Sequence, residues 1–168
     1  FDLFVKEVAR EITVKTGQKC TAVRRIMVPE NLVEDVQIAL GKRLAKVIIG
    51  DPAVEDVRMG ALASRLQVDR VRENVDFLAK SQDIVIGNLD QFDVKGADKD
   101  KGAFFSPIVF RNDDPFNKTD CHSIEAFGPV STILPYKDLD EAIDLVRLGK
   151  GSLVTSIVTA DDKLATEF

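Results

Sequence analysis

The stretch T-G-Q-K-C-T-A, Thr16 to Ala22, holds one of the chain's two cysteines in surroundings that suit nucleophilic chemistry. Cys20 stands three residues after Gly17, beside Lys19, with Arg24 and Arg25 close behind. Positive potential of that kind favours the thiolate, the form of cysteine that attacks carbon. A free cysteine is more often a small buried hydrophobe, so spacing alone leaves both readings open. Further along, E-A-F-G-P-V (Glu125 to Val130) puts a carboxylate, a ring and a Gly-Pro turn ahead of a strand-like run. Taken alone, Glu125 reads equally as a solvated turn carboxylate and Phe127 as a core ring. His122 is the only histidine and follows Cys121 directly. That pair falls short of the three or four ligands of a metal set and reads as structural or incidental.

Several searches fail. No G-x-G-x-x-G or G-x-x-x-x-G-K-[ST] occurs, so residues 1–168 carry neither common phosphate-binding loop. G-x-S-x-G, H-E-x-x-H and C-x-x-C are missing as well.

The elements that must position these residues are legible from periodicity. Phe1, Phe4, Val5, Val8 and Ile12 recur at helical spacing, and Gly17 suits the left-handed stop after a helix. A-V-R-R-I-M-V-P reads as a strand, and Leu32 to Val47 as a second helix broken at Gly50 to Pro52. Ser64 and Gln67 have the spacing of a capping box and open a third helix, to about Ser81. D-I-V-I-G, A-F-F-S-P-I-V-F and S-T-I-L-P-Y follow as strands, with a glycine-rich, charged loop from Gly87 to Gly102. Asp138 and Glu141 repeat the capping spacing before E-A-I-D-L-V-R-L. S-L-V-T-S-I-V-T-A-D reads as a strand whose Asp161 caps a last helix, running to Phe168. Strands alternate with helices and several are continuously apolar, which gives an α/β class with a sheet covered on both faces.

Composition agrees. A chain of 168 residues fits one domain and can bury roughly 70% of its unfolded surface. A net charge of −5 with no basic run argues against nucleic acid as a partner. No apolar stretch approaches the roughly 18 residues of a membrane span. Two cysteines make no disulfide framework, so a reducing, cytoplasmic setting is expected. The chain opens without methionine and stops inside a helix-like run, so it is expected to be a piece of something longer.

Four motifs, in order and spanning nearly the whole chain, resemble the aldehyde dehydrogenase superfamily. G-Q-K-C matches the family's nucleophile motif G-Q-x-C, and E-A-F-G-P its cofactor-binding E-x-F-G-P. M-G-A-L-A-S (Met59 to Ser64) is similar to G-P-L-x-S, with Ala61 where proline usually stands. G-A-F-F-S-P-I-V-F (Gly102 to Phe110) is similar to G-Y-F-x-x-P-T-V-F. The resemblance implies a three-layer α/β catalytic domain with a mainly parallel sheet covered by helices. It also implies Cys20 as nucleophile with its backbone N–H as an oxyanion donor, Glu125 on the nicotinamide ribose and Phe127 beside the nicotinamide. The cofactor would be NADP or NAD, and the product a carboxylic acid.

Within the superfamily, E-V-A-R-E-I-T-V-K-T-G-Q-K-C-T-A-V-R-R-I-M-V-P is similar to the dehydrogenase half of the bifunctional ring-opening enzymes of bacterial phenylacetate breakdown. That implies a CoA-linked semialdehyde as substrate. The semialdehyde dehydrogenases of benzoyl-CoA breakdown are the alternative. The family's general-base glutamate, second oxyanion donor and cofactor-binding domain precede the cysteine helix, and residues 1–168 hold none of them, nor its C-terminal oligomerisation segment. Residues 1–168 are therefore expected to be a partial catalytic domain that folds without turning over alone, from a homo-oligomeric enzyme. Two other classes stay open: a thiol-redox protein using Cys20 and Cys121, and a non-catalytic interaction module of the same fold.

Overall fold

Side chains on successive strand residues point to opposite faces, and here both faces are covered. The computed structural model describes residues 1–167, so Phe168, to which the last helix was expected to run, lies outside the described residues. The strands are β1 (Arg25–Pro29), β2 (Asp83–Ile86), β3 (Ile108–Arg111) and β4 (Val130–Tyr136). They form one sheet in the order β1-β4-β3-β2; β4 runs parallel to both β1 and β3, and β2 pairs antiparallel with β3 at the edge.

Helices α1 (Asp2–Thr13) and α2 (Val33–Leu44) cover one face. Val5, Val8 and Ile12 of α1 and Val36 and Leu40 of α2 pack there with Ile26, Val28, Val109 and Ile133 from the sheet. Helices α3 (Arg65–Leu78) and α5 (Leu139–Arg147), with the short α4 (Asp120–Ser123), cover the other. There Val71, Val75 and Leu145 meet Ile108, Phe110 and Leu134. Neighbouring residues of β3 and β4 thus enter opposite cores, which is why those strands are apolar without interruption. Each fully buried aliphatic side chain stabilises this arrangement by about 1.5–3 kcal/mol. The expected three-layer α/β architecture with a mainly parallel sheet is present.

The caps hold as read, with one change each. Ser64 Oγ accepts from the Gln67 N–H at 3.1 Å, and Asp138 Oδ1 accepts from the Glu141 N–H at 2.9 Å. Glu141 Oε2 accepts from the Lys137 N–H, one residue ahead of the cap, and the Gln67 side chain leaves its own helix altogether. Asp161 caps α6 (Asp162–Glu167) by accepting from the Lys163 and Leu164 N–H groups.

Four expectations on extent need correction. The second helix ends at Leu44 and the third at Leu78, both short of the expected limits. Of A-F-F-S-P-I-V-F only the last three residues join the sheet, in β3 (Ile108–Arg111). S-L-V-T-S-I-V-T-A-D is no strand: residues 152–160 join no strand ladder among the described residues, Ser152 bonds only Gly149 and Arg24, and Leu153 is 68% exposed. Its β-branched composition favours a pleated surface, but a strand needs a neighbour to complete its ladder.

Candidate active site

The sheet order brings the two chemistry-bearing turns together. Cys20 lies five residues before Arg25 at the start of β1, and Phe127 lies three before Val130 at the start of β4. Since β1 and β4 are adjacent and parallel, with Arg25 opposite Thr132, both turns emerge at the amino ends of the strands. Ser131 Oγ donates to Val23 O at 2.7 Å, and the Arg24 guanidinium donates to His122 O at 3.3 Å, stitching the two approaches to each other.

The cysteine turn is wound left-handed. Lys15, Thr16 and Gly17 have φ of 52°, 54° and 70°, a conformation that costs roughly 1–2 kcal/mol at each residue carrying a Cβ. Side chains hold it in place. Thr16 Oγ1 donates to Gly60 O at 3.0 Å, Gln18 Nε2 donates to Lys15 O at 3.0 Å, and Gln18 Oε1 accepts from the Ala63 N–H at 2.8 Å. M-G-A-L-A-S is thus the wall against which the turn is braced. That wall is tied to G-A-F-F-S-P through the Leu62 N–H to Ala103 O at 2.8 Å and Arg65 to Gly102 O at 2.8 Å. All four sequence motifs meet here.

Gly17 joins this turn to the next. A Cβ at that position would stand 2.1 Å from Gly128 O, so only glycine lets the cysteine turn lie against the E-A-F-G-P turn. Gly128 is hemmed in on its other side, where an added Cβ would come within 2.8 Å of Val71 Cγ2 on α3. A cleft runs between the turns, with Gly17, Lys19, Glu125 and Phe127 among its lining residues. Cys20, one residue past Lys19, is exposed. Neither its thiol nor its backbone N–H has a hydrogen-bond partner among the described residues. Glu125 is exposed and unpaired among the described residues, and Phe127 keeps 41% of its surface exposed at a φ of 52°. All three are exposed rather than turned into the core, and Phe127 alone of them holds a strained, positive-φ backbone.

The electrostatics depart from expectation. Lys19 pairs with Glu11 at 2.6 Å, and Arg25 turns away to donate to Leu145 O at 2.6 Å at the carboxyl end of α5. The basic residues that flank Cys20 in sequence therefore serve other partners.

Cys121 and His122 are both buried. Burial pushes the Cys121 thiol up. His122 Nε2 lies 2.8 Å from Pro115 O and Nδ1 lies 3.2 Å from Arg25. A carbonyl only accepts and a guanidinium only donates, so the ring is neutral with its proton on Nε2. Burial, with Arg25 and Arg24 adding to it, holds His122 below its ordinary value.

Sequence reasoning missed Thr16, Gln18 and Gln67, whose work is to brace the turns. Their polarity was visible, but their partners lie on distant segments that only the fold brings near.

Comparison with known proteins gives the family. The profile of the aldehyde dehydrogenase family matches residues 1–168. The chain is 40% identical over 161 residues to 3,4-dehydroadipyl-CoA semialdehyde dehydrogenase of Aromatoleum evansii, covering 96% of this chain and 31% of that one. It is 33% identical over 165 residues to a putative aldehyde dehydrogenase of Staphylococcus epidermidis, covering 95% of this chain and 34% of that one. The fold is similar to betaine aldehyde dehydrogenase of Staphylococcus aureus, crystallised in complex with NAD+. There the TM-score is 0.79 at 28% identity, over 88% of this chain and 28% of that one. The chain spans about a third of the length of the curated relatives it matches.

Proposed function

The chain belongs to the aldehyde dehydrogenase family, and from that premise we propose that it supplies the nucleophile and the nicotinamide-facing turn of an NAD(P)-dependent aldehyde dehydrogenase. The single observation that carries the reading is the seating of Gly17 against Gly128, which sets exposed Cys20 on a turn abutting exposed Glu125 and Phe127.

The residues present fit the group they would face. The Glu125 carboxylate can accept from ribose hydroxyls, and the exposed Phe127 ring offers an apolar surface to a planar ring. When bound, the nicotinamide supplies the hydride acceptor. Everything else falls to the protein. The Cys20 thiolate attacks the aldehyde carbon, and the unpartnered Cys20 N–H is free to donate to the oxygen on which negative charge develops. Loss of hydride converts the thiohemiacetal on Cys20 to a thioester, and water releases the acid. Glu125 and Phe127 act by orientation, since they hold the acceptor within reach of the carbon.

The substrate in this reading is a CoA-linked semialdehyde of aromatic breakdown, by way of phenylacetate or benzoyl-CoA. The name of the Aromatoleum evansii relative supports that class. NADP, a cytoplasmic setting and a homo-oligomeric enzyme belong to the same proposal, with no nucleic-acid or membrane partner. No helix among the described residues is long and apolar enough to cross a membrane. We assign residues 1–168 to the catalytic domain, with the dinucleotide's phosphates and the hydrolytic base served from elsewhere in the protein, so residues 1–168 alone do not turn over.

The test is substitution in the full-length protein. Cys20→Ala abolishes aldehyde oxidation and Cys121→Ala retains most of it. Substantial turnover by Cys20→Ala overturns the proposal.

A further inference from the structure

Gln67 stands in the first turn of α3, where its backbone N–H is already satisfied by the Ser64 cap. Its side chain is therefore free of the helix, and it crosses to the E-A-F-G-P turn. Nε2 donates to Phe127 O at 2.9 Å, with Ala126 O at 3.5 Å. The residue it grips is the non-glycine residue of that turn with positive φ. Phe127 would relax toward the ordinary right-handed or extended region if its carbonyl were released. One turn further along α3, Val71 presses on Gly128 from behind. The helix thus holds the turn at two points, one polar and one apolar, while Gly17 closes the third side.

We infer that Gln67 is a positioning residue, which fixes the Phe127 carbonyl so that Glu125 and Phe127 face the nicotinamide in one orientation. The inference rests on the reading of Glu125 and Phe127 given above. Gln67 touches neither aldehyde nor thiol, so its removal acts on hydride transfer and leaves the affinity for the aldehyde alone.

The test has two arms. The first uses the full-length protein without cofactor and follows hydrogen exchange in the peptide covering residues 124–130. Its Ile124 and Val130 amides are hydrogen-bonded to Asp120 O and Gly128 O. Gln67→Met keeps the length and removes the donor, and it is expected to speed exchange in that peptide roughly fivefold, the factor of one neutral hydrogen bond. Exchange elsewhere stays as in the parent, and the melting temperature falls by no more than the roughly 2–4 °C that one such bond carries. Gln67→Lys restores a donor and returns the exchange toward the parent rate. The second arm measures single-turnover hydride transfer in the full-length protein. Gln67→Met slows it with the aldehyde KM unchanged, and Gln67→Lys recovers part of the rate.

Unchanged exchange in residues 124–130 overturns the inference, as does acceleration spread evenly over the chain, and so does unaltered hydride transfer. Failure of the dehydrogenase reading shows separately, as activity surviving in Cys20→Ala. The exchange arm needs neither cofactor nor aldehyde.

Discussion

Replacing Gly17 with alanine should damage both the stability of the chain and the register of its two turns. Two costs combine. Alanine at a φ of 70° carries the left-handed penalty of roughly 1–2 kcal/mol. Its Cβ would also stand 2.1 Å from Gly128 O and 2.4 Å from the Gly128 carbonyl carbon, so one backbone must retreat by about an ångström. Overpacking of that kind costs about 1–3 kcal/mol. The sum is about 2–5 kcal/mol. At the roughly 2–4 °C per kcal/mol of a chain this size, the melting temperature falls by about 10 °C. Thermal unfolding followed by circular dichroism measures it. Gly151→Ala is the control, since nothing lies within 4 Å of its added Cβ, and it should melt with the parent. In the full-length protein the same retreat misplaces Cys20 relative to Glu125, and a misplacement of about an ångström costs on the order of 100-fold in rate. Strain alone accounts for a fall of roughly 4 °C. A Gly17→Ala chain that melts within that margin, with activity intact, refutes the close seating of the turns.

Other consequences follow from the same geometry. Glu125→Gln in the full-length protein slows hydride transfer in single turnover more than it weakens aldehyde binding; a raised aldehyde dissociation constant with unchanged transfer contradicts its role. In the native chain one thiol reacts rapidly with a disulfide reagent at mildly alkaline pH, because Cys20 is exposed while burial pushes the Cys121 thiol up; the second reacts only after denaturation. Simultaneous reaction of both would show that Cys121 is not enclosed. His122 is held below its ordinary value of 6.5, so the unfolded chain takes up that proton first as pH falls. Stability therefore declines below about pH 6.5 until the folded ring is also charged, a decline that urea midpoints should record and His122→Gln should flatten.

The layers were legible because each depends on a local pattern. Val5, Val8 and Ile12 mark the buried stripe of α1, Ser64 and Asp138 mark helix starts, and the unbroken apolar runs of β3 and β4 mark strands covered on both sides. Cys20, Glu125 and Phe127 stand out in the sequence only as a set, through motif order, since each alone reads as easily as a core or surface residue. What was not legible depends on distant partners. The sequence placed Gln67 in a reciprocal cap, yet its side chain bonds a carbonyl sixty residues away. It surrounded Cys20 with positive charge, yet Lys19 and Arg25 pair with Glu11 and with the end of α5. Residues 152–160 have strand composition, but composition cannot supply the neighbouring strand.

The central claim is that the Cys20 sulfur forms the covalent bond to the aldehyde carbon. Rapid quench of the full-length protein with NADP and a CoA-linked semialdehyde, followed by digestion and peptide mass spectrometry, observes that bond directly. The account predicts an acyl group on the peptide containing Cys20, accumulating within the first turnover and absent from the peptide containing Cys121. Turnover with no adduct on Cys20, or an adduct on Cys121 instead, would contradict it.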